Sequence, residues 1–165
     1  MSRGRVLVAG IGNVFLGDDG FGVEVLRRLM QQPFPEEVEL ADFGIRGFDL
    51  AYALMDDYAA AILVDALPRG GPAGRVFVLE PDIDGIESAG SFDSHGMNPV
   101  EVFRMVKDLG GRPPKVLIVG CEPESFGDDN EGRMGLSPVV EAAVDEAVRL
   151  TEELVRQITQ LQEVG

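Results

Sequence analysis

The sequence predicts an α/β chain, an α/β/α sandwich around a mostly parallel sheet. Three observations carry that expectation. Short, continuous apolar runs at residues 6–9 and 59–64 have the pattern of strands buried on both faces. Longer stretches with apolar residues three and four apart alternate with such runs, as helices between strands do. The turn Pro68-Arg69-Gly70-Gly71-Pro72 joins two strands and is too short for a crossover helix, so the strand after it should run antiparallel to the one before.

Each element has its own warrant. Residues 6–9, Val-Leu-Val-Ala, form the first strand. The glycine-rich stretch Gly10-Ile11-Gly12-Asn13-Val14-Phe15-Leu16-Gly17-Asp18-Asp19-Gly20 follows, then a helix with Val23, Leu26, Leu29 and Met30 on one face and Arg27 and Arg28 on another. Pro33-Phe34-Pro35 stops that helix. Residues 37–43 largely alternate apolar and polar as a second strand, and residues 48–55 read as a helix. Residues 59–64 are the third strand, ending at Asp65, and residues 75–79 the fourth. Residues 80–97 are irregular and hold the chain's one histidine, His95. Asn98-Pro99-Val100-Glu101 starts a helix, with Asn as cap, Pro at the first position and Glu at the third. That helix ends near Gly110-Gly111, and residues 116–119 are strand five. After a long loop, Ser137-Pro138 opens a last helix with Val140, Val144, Ala147, Leu154, Ile158 and Leu161 as its buried stripe.

The chain's 165 residues suit one domain, 1–165, with a sizeable core. A formal net charge of −15 makes nucleic acid and anionic membranes poor partners and a metal ion or cationic peptide easier ones. One cysteine rules out an internal disulfide and fits a reducing compartment. The first residues lack the apolar core of a signal peptide and no later run reaches membrane-spanning length, so a cytoplasmic protein is expected. With no large exposed apolar run evident, a monomer is expected as well.

Ligands of such sheets gather at the carboxyl ends of the strands. That rule selects residues 12–20, 42–47, 65–66 and the stretch from Cys121 onward. Asp18 and Asp19 have a simple explanation as helix caps. Two adjacent carboxylates repel, however, unless solvated or given a cation. A dinucleotide site, with Gly10-x-Gly12 at the phosphates and Asp42 at a ribose, is a rival, but the two aspartates fall where a pyrophosphate needs bare N–H groups. Asp65 is either a ligand or a cap for the following turn. Asp19, Asp65 and His95 together would suit a divalent transition metal with positions left open. Cys121 is either a small buried residue or a thiol nucleophile activated by His95. The acidic stretch 122–132 lacks the ligand alternation of a calcium loop and reads as a solvated, acidic docking surface.

Four stretches resemble the hydrogenase maturation endopeptidases, which process the large subunit of nickel-iron hydrogenases. They are Gly10-Ile11-Gly12-Asn13 with Gly17-Asp18-Asp19-Gly20-Phe21-Gly22; Ile62-Leu63-Val64-Asp65-Ala66; Ser94-His95 before the Asn98-Pro99 helix; and Val119-Gly120-Cys121-Glu122-Pro123-Glu124-Ser125 with Gly135-Leu136-Ser137-Pro138. They occur in the family's order and span nearly the whole chain. The resemblance implies a three-layer α/β/α sandwich with a mixed, mostly parallel five-stranded sheet of the phosphorylase/hydrolase-like kind. It implies metal contacts at Asp19, Asp65 and His95, and a further acidic position at Asp42. Cleavage would then proceed by the bound metal polarising the scissile carbonyl or activating a water, or by Asp19 or Asp42 as general base, with metal-assisted hydrolysis the expected route. The implied activity is removal of a C-terminal peptide from the large-subunit precursor after nickel insertion. The nickel would come with the precursor, and no tightly bound cofactor of the enzyme's own is expected.

Overall fold

A central five-stranded sheet, in the order β2-β1-β3-β5-β4, organises the chain. The computed structural model describes residues 4–85, 98–126 and 135–164. Strand β1 spans Arg5–Ile11, β2 Val38–Gly44, β3 Tyr58–Ala66, β4 Val76–Leu79 and β5 Lys115–Cys121. Helix α1 spans Phe21–Leu29, α2 Gly47–Leu54, α3 Pro99–Asp108 and α4 Pro138–Val164. A 3-10 turn over Gly17–Gly20 leads into α1. Strands β1, β2, β3 and β5 are parallel, and β4 alone is reversed, as the short 68–72 connection requires. Its hydrogen-bonded neighbour is β5, not β3, because β5 inserts between them as the second parallel partner of β3.

Alternation along the strands sends side chains into two cores. On one face Val8, Ile62, Val64, Val119 and Cys121 pack with Phe21, Leu26 and Leu29 of α1 and Val140, Val144 and Ala147 of α4. On the other, Leu7, Ala9, Ile11, Leu63 and Ile118 pack with Leu50 and Leu54 of α2 and Phe103 and Val106 of α3. The three layers are therefore helix pair, sheet, helix pair. Of the expected α4 stripe, Val140, Val144 and Ala147 are buried and Leu154 and Ile158 pack at its margin; the side chain of Leu161 lies outside the described residues.

Local chemistry sets the helix ends. The Asn98 side chain accepts a hydrogen bond from the Val100 N–H at 2.9 Å, the N-cap expected before Pro99. Met30, expected on the buried face of the first helix, is 46% exposed. It caps the helix after Leu29, where the chain turns away from the sheet. No helix among the described residues is long and apolar enough to cross a membrane.

Candidate functional site

The carboxyl ends of β1 and β3 form the centre of the site. From β1 the chain passes through α1 to β2 on one side, while β3 and β5 extend the sheet on the other. Neighbouring strands whose connections leave in opposite directions open a crevice at their carboxyl ends. Asp19 enters it from the turn after β1, and Asp65 from β3 itself, which runs two residues past its apolar run to Ala66.

Glycines bring these two residues together. Gly12 has φ +138°, and a Cβ there would lie 1.8 Å from the Asp19 carbonyl oxygen, so the loop folds back onto it. At Gly22 a Cβ would lie 2.1 Å from the Val64 carbonyl oxygen and 2.5 Å from that of Ile11. The first turn of α1 thus rests on the ends of β1 and β3, beside Asp65.

Both carboxyls are buried. Asp19 accepts a hydrogen bond from the Asn13 N–H at 2.7 Å, six residues back. Burial raises its pKa above the usual carboxylate value, and the Asn13 N–H partly offsets this. Asp65 is 1% exposed, and its Oδ1 has no hydrogen-bond partner. Burial first, and the Asp19 carboxylate second, push its pKa well up; the Ala66 N–H opposes them. Two desolvated acids that repel each other are unfavourable as a resting pair, and a cation between them relieves both effects. The orphaned oxygen and the two carboxylates make an oxygen donor set that fits a divalent cation.

The family model of hydrogenase maturation proteases matches residues 23–154. The chain belongs to the hydrogenase maturation protease family. It is 32% identical to the hydrogenase expression/formation protein HoxM of Cupriavidus necator, over 92% of this chain and 74% of that one. Among solved structures, the hydrogenase maturating endopeptidase HybD of Escherichia coli superposes with TM-score 0.77 at 27% identity, covering 93% of each chain. The hydrogenase 2 maturation peptidase of a Thaumarchaeota archaeon gives TM-score 0.69 at 34% identity, covering 92% of this chain and 97% of that one. The resemblance drawn from four short motifs thus holds over the chain, and the sheet with one reversed strand is the fold of these peptidases.

The other candidates in this hydrogenase maturation protease sort by geometry. His95 lies outside the described residues, and among those residues no group of three or more His, Cys, Asp and Glu could hold a metal ion. Asp42 pairs with Gly10 at the end of β2, so it reaches the same edge but stands across β1 from Asp65. Its carbonyl accepts a hydrogen bond from Arg46 at 2.6 Å. Cys121 is buried as the last residue of β5, in the core shared with α1 and α4. Alternation turns Asp65 to the opposite face with Leu63. Burial, then the nearby Asp18, Glu122 and Glu146 carboxylates, push the thiol up to about 12, so it carries no thiolate at neutral pH.

Two acidic residues have roles that the sequence did not reveal. Asp18 caps no helix; its buried carboxylate accepts four hydrogen bonds from Glu124, Ser125 and Ser137. Glu122, expected in a solvated loop, is 3% exposed. It accepts from the Arg69 N–H at 2.8 and 3.0 Å and the Gly71 N–H at 3.1 Å, so Glu122 and not Asp65 caps the 66–71 turn. The signal for both was only that a carboxylate adjoined a buried strand or turn. Their partners lie 51 to 119 residues away, beyond any local pattern.

Proposed function

We propose that this hydrogenase maturation protease removes a C-terminal peptide from the nickel-loaded large-subunit precursor of a nickel-iron hydrogenase, and that Asp19, Asp65 and His95 read the nickel. The observation that carries the proposal is the buried Asp19–Asp65 pair with its unpartnered Asp65 Oδ1. Both carboxylates stand ready for a cation that the enzyme itself does not retain.

The chemistry follows from that pair. Nickel brought in by the precursor supplies the countercharge and a Lewis acid beside the scissile carbonyl. Asp65 and Asp19 then hold the precursor's metal-bearing end in the β1/β3 crevice. Asp19, oriented by the Asn13 N–H, takes a proton from the attacking water as general base, with Asp42 across β1 as the second carboxylate within the same edge. Cleavage waits for nickel because, without it, the two buried carboxyls lack a countercharge and the scissile carbonyl lacks a Lewis acid. Exposed apolar side chains flank this edge: Phe15 at 60%, Ile45 at 62% and Phe48 at 64%. The first leaves the end of β1 and the other two the end of β2, so the precursor meets them as its tail approaches the crevice.

Intact-mass analysis of a nickel-loaded precursor beside a nickel-free one tests the reading. Loss of a C-terminal peptide from the loaded sample alone is expected. Equal loss from both would remove the metal-reading role, and loss from neither, with a matched client, would overturn the activity.

A further inference from the structure

The 3-10 turn carrying Asp19 is four residues long, too short to fix its own position. Its internal holds are the Asp19 N–H donating to the Leu16 carbonyl at 3.1 Å and the Leu16 N–H to that of Asn13 at 3.0 Å. The Phe21 N–H also donates to the Asp18 carbonyl, and the Asn13 N–H to the Asp19 carboxylate. Asp18, the residue beside Asp19, adds a set of holds from distant segments. Asp18 Oδ2 accepts from the Glu124 N–H at 2.8 Å, the Ser125 N–H at 3.1 Å and the Ser137 hydroxyl at 2.9 Å. Its Oδ1 accepts from the Ser137 N–H at 2.7 Å, and its own N–H donates to the Ser125 carbonyl at 3.0 Å. The side chain is fully buried.

Four donors converge on one carboxylate, from both flanks of the segment joining β5 to α4. Only an acceptor-only group satisfies them all; an amide would turn its own N–H groups toward other donors. The consequence falls on Asp19. With Asp18 locked to the 124–125 and 137 backbone, the neighbouring peptide unit is fixed, and the Asp19 carboxylate faces Asp65 instead of swinging to solvent.

We propose that Asp18 is a positioning residue for Asp19, holding the metal-reading carboxylate in register by anchoring its turn to both flanks of the β5–α4 connection. The inference rests on the reading of Asp19 given above and adds a residue that itself touches neither precursor nor metal. Groups that orient metal ligands typically change affinity or turnover by about 10–100-fold when lost, and the same range is expected for Asp18 acting through the backbone of its turn.

The test compares Asp18→Asn and Ser137→Ala with wild type and with Val106→Ala, a core variant on α3. Amide hydrogen exchange of Asn13 reports directly on Asp19, whose carboxylate accepts that N–H. In Asp18→Asn, faster Asn13 exchange is expected, with kcat/KM on nickel-loaded precursor lowered about 10–100-fold. Ser137→Ala should move both readouts in the same direction by less. Val106→Ala, assayed below its melting temperature, should move neither. If the Asp18 and Ser137 variants lower the melting temperature yet keep wild-type Asn13 protection and kcat/KM, the role is purely structural and the proposal fails. Should Asp18→Asn not fold, Ser137→Ala decides by the same criteria. The exchange measurement needs no nickel or client, so wild-type protein that cleaves nothing would overturn the proposed function while exchange still judged the positioning role.

Discussion

Asp65 shows how much a single residue's environment decides. Its carboxyl titrates above the ordinary value in the native protein, so the fold holds a proton that the unfolded chain has already released. Native stability from this group is therefore complete below the ordinary Asp value and is lost as pH rises through the raised one. In metal-free protein, the melting temperature of Asp65→Asn should gain on that of wild type as pH rises above the ordinary Asp range, and the gap should narrow as pH falls back toward it. A gap that stays constant as pH rises would contradict the raised value. The same variant is expected to abolish processing. Cys121 makes the opposite case. A buried thiol pushed up to about 12 is inert, so native protein should resist iodoacetamide at neutral pH, and Cys121→Ser should keep its processing rate. Loss of processing in that variant without loss of fold would return the thiol to the mechanism.

Elements hold the site through backbone contacts as much as through side chains. Gly12 combines φ +138° with an Asp19 carbonyl 1.8 Å from where a Cβ would stand. Gly12→Ala must move the Asp19 turn, at a cost of about 1–3 kcal/mol for the backbone alone, and processing should fall with stability. On the far side of the sheet edge, Glu122 ties the 67–74 turn to β5 through three hydrogen bonds to two backbone N–H groups. Glu122→Ala removes the charged acceptor of these part-buried hydrogen bonds, and a loss of about 1–3 kcal/mol is expected from denaturant titration. A loss within error of zero would mean that water replaces the carboxylate. The exposed side chains at the ends of β1 and β2 have no such structural duty. Phe15→Ser and Phe48→Ser should leave stability near wild type and raise KM for the precursor, which steady-state kinetics would show.

At the scale of the whole molecule, charge is the distinguishing feature. A net −15 on 165 residues opposes compaction by self-repulsion. Ion pairs relieve part of it, as where Arg28 meets Glu141 at 2.6 Å and Asp145 at 2.8 Å and so joins α1 to α4. Raising salt from about 0.1 M to about 1 M shortens the screening length from about 10 Å to about 3 Å. The melting temperature of metal-free protein should rise over that range; a fall would place the balance with the ion pairs instead. The same field favours a cation at the crevice, where the sheet order places the buried Asp19 and Asp65.

The sequence by itself determined the layers, the alternation of strands and helices, the reversed fourth strand and the family. These rest on local periodicity and on turns too short for a helix, both of which read directly from neighbouring residues. It also singled out Asp19 and Asp65, because each stands at the carboxyl end of an apolar strand or just beyond it. Only the tertiary structure decided what each carboxylate does. Asp18 and Asp19 look alike in sequence, yet one fastens residues over a hundred positions away while the other faces Asp65. Glu122 looked solvated and is a buried clamp, and Cys121 lost its claim once alternation set it in the opposite core. Desolvation, long-range hydrogen bonding and strand order arise when distant segments pack, and no run of adjacent residues encodes them.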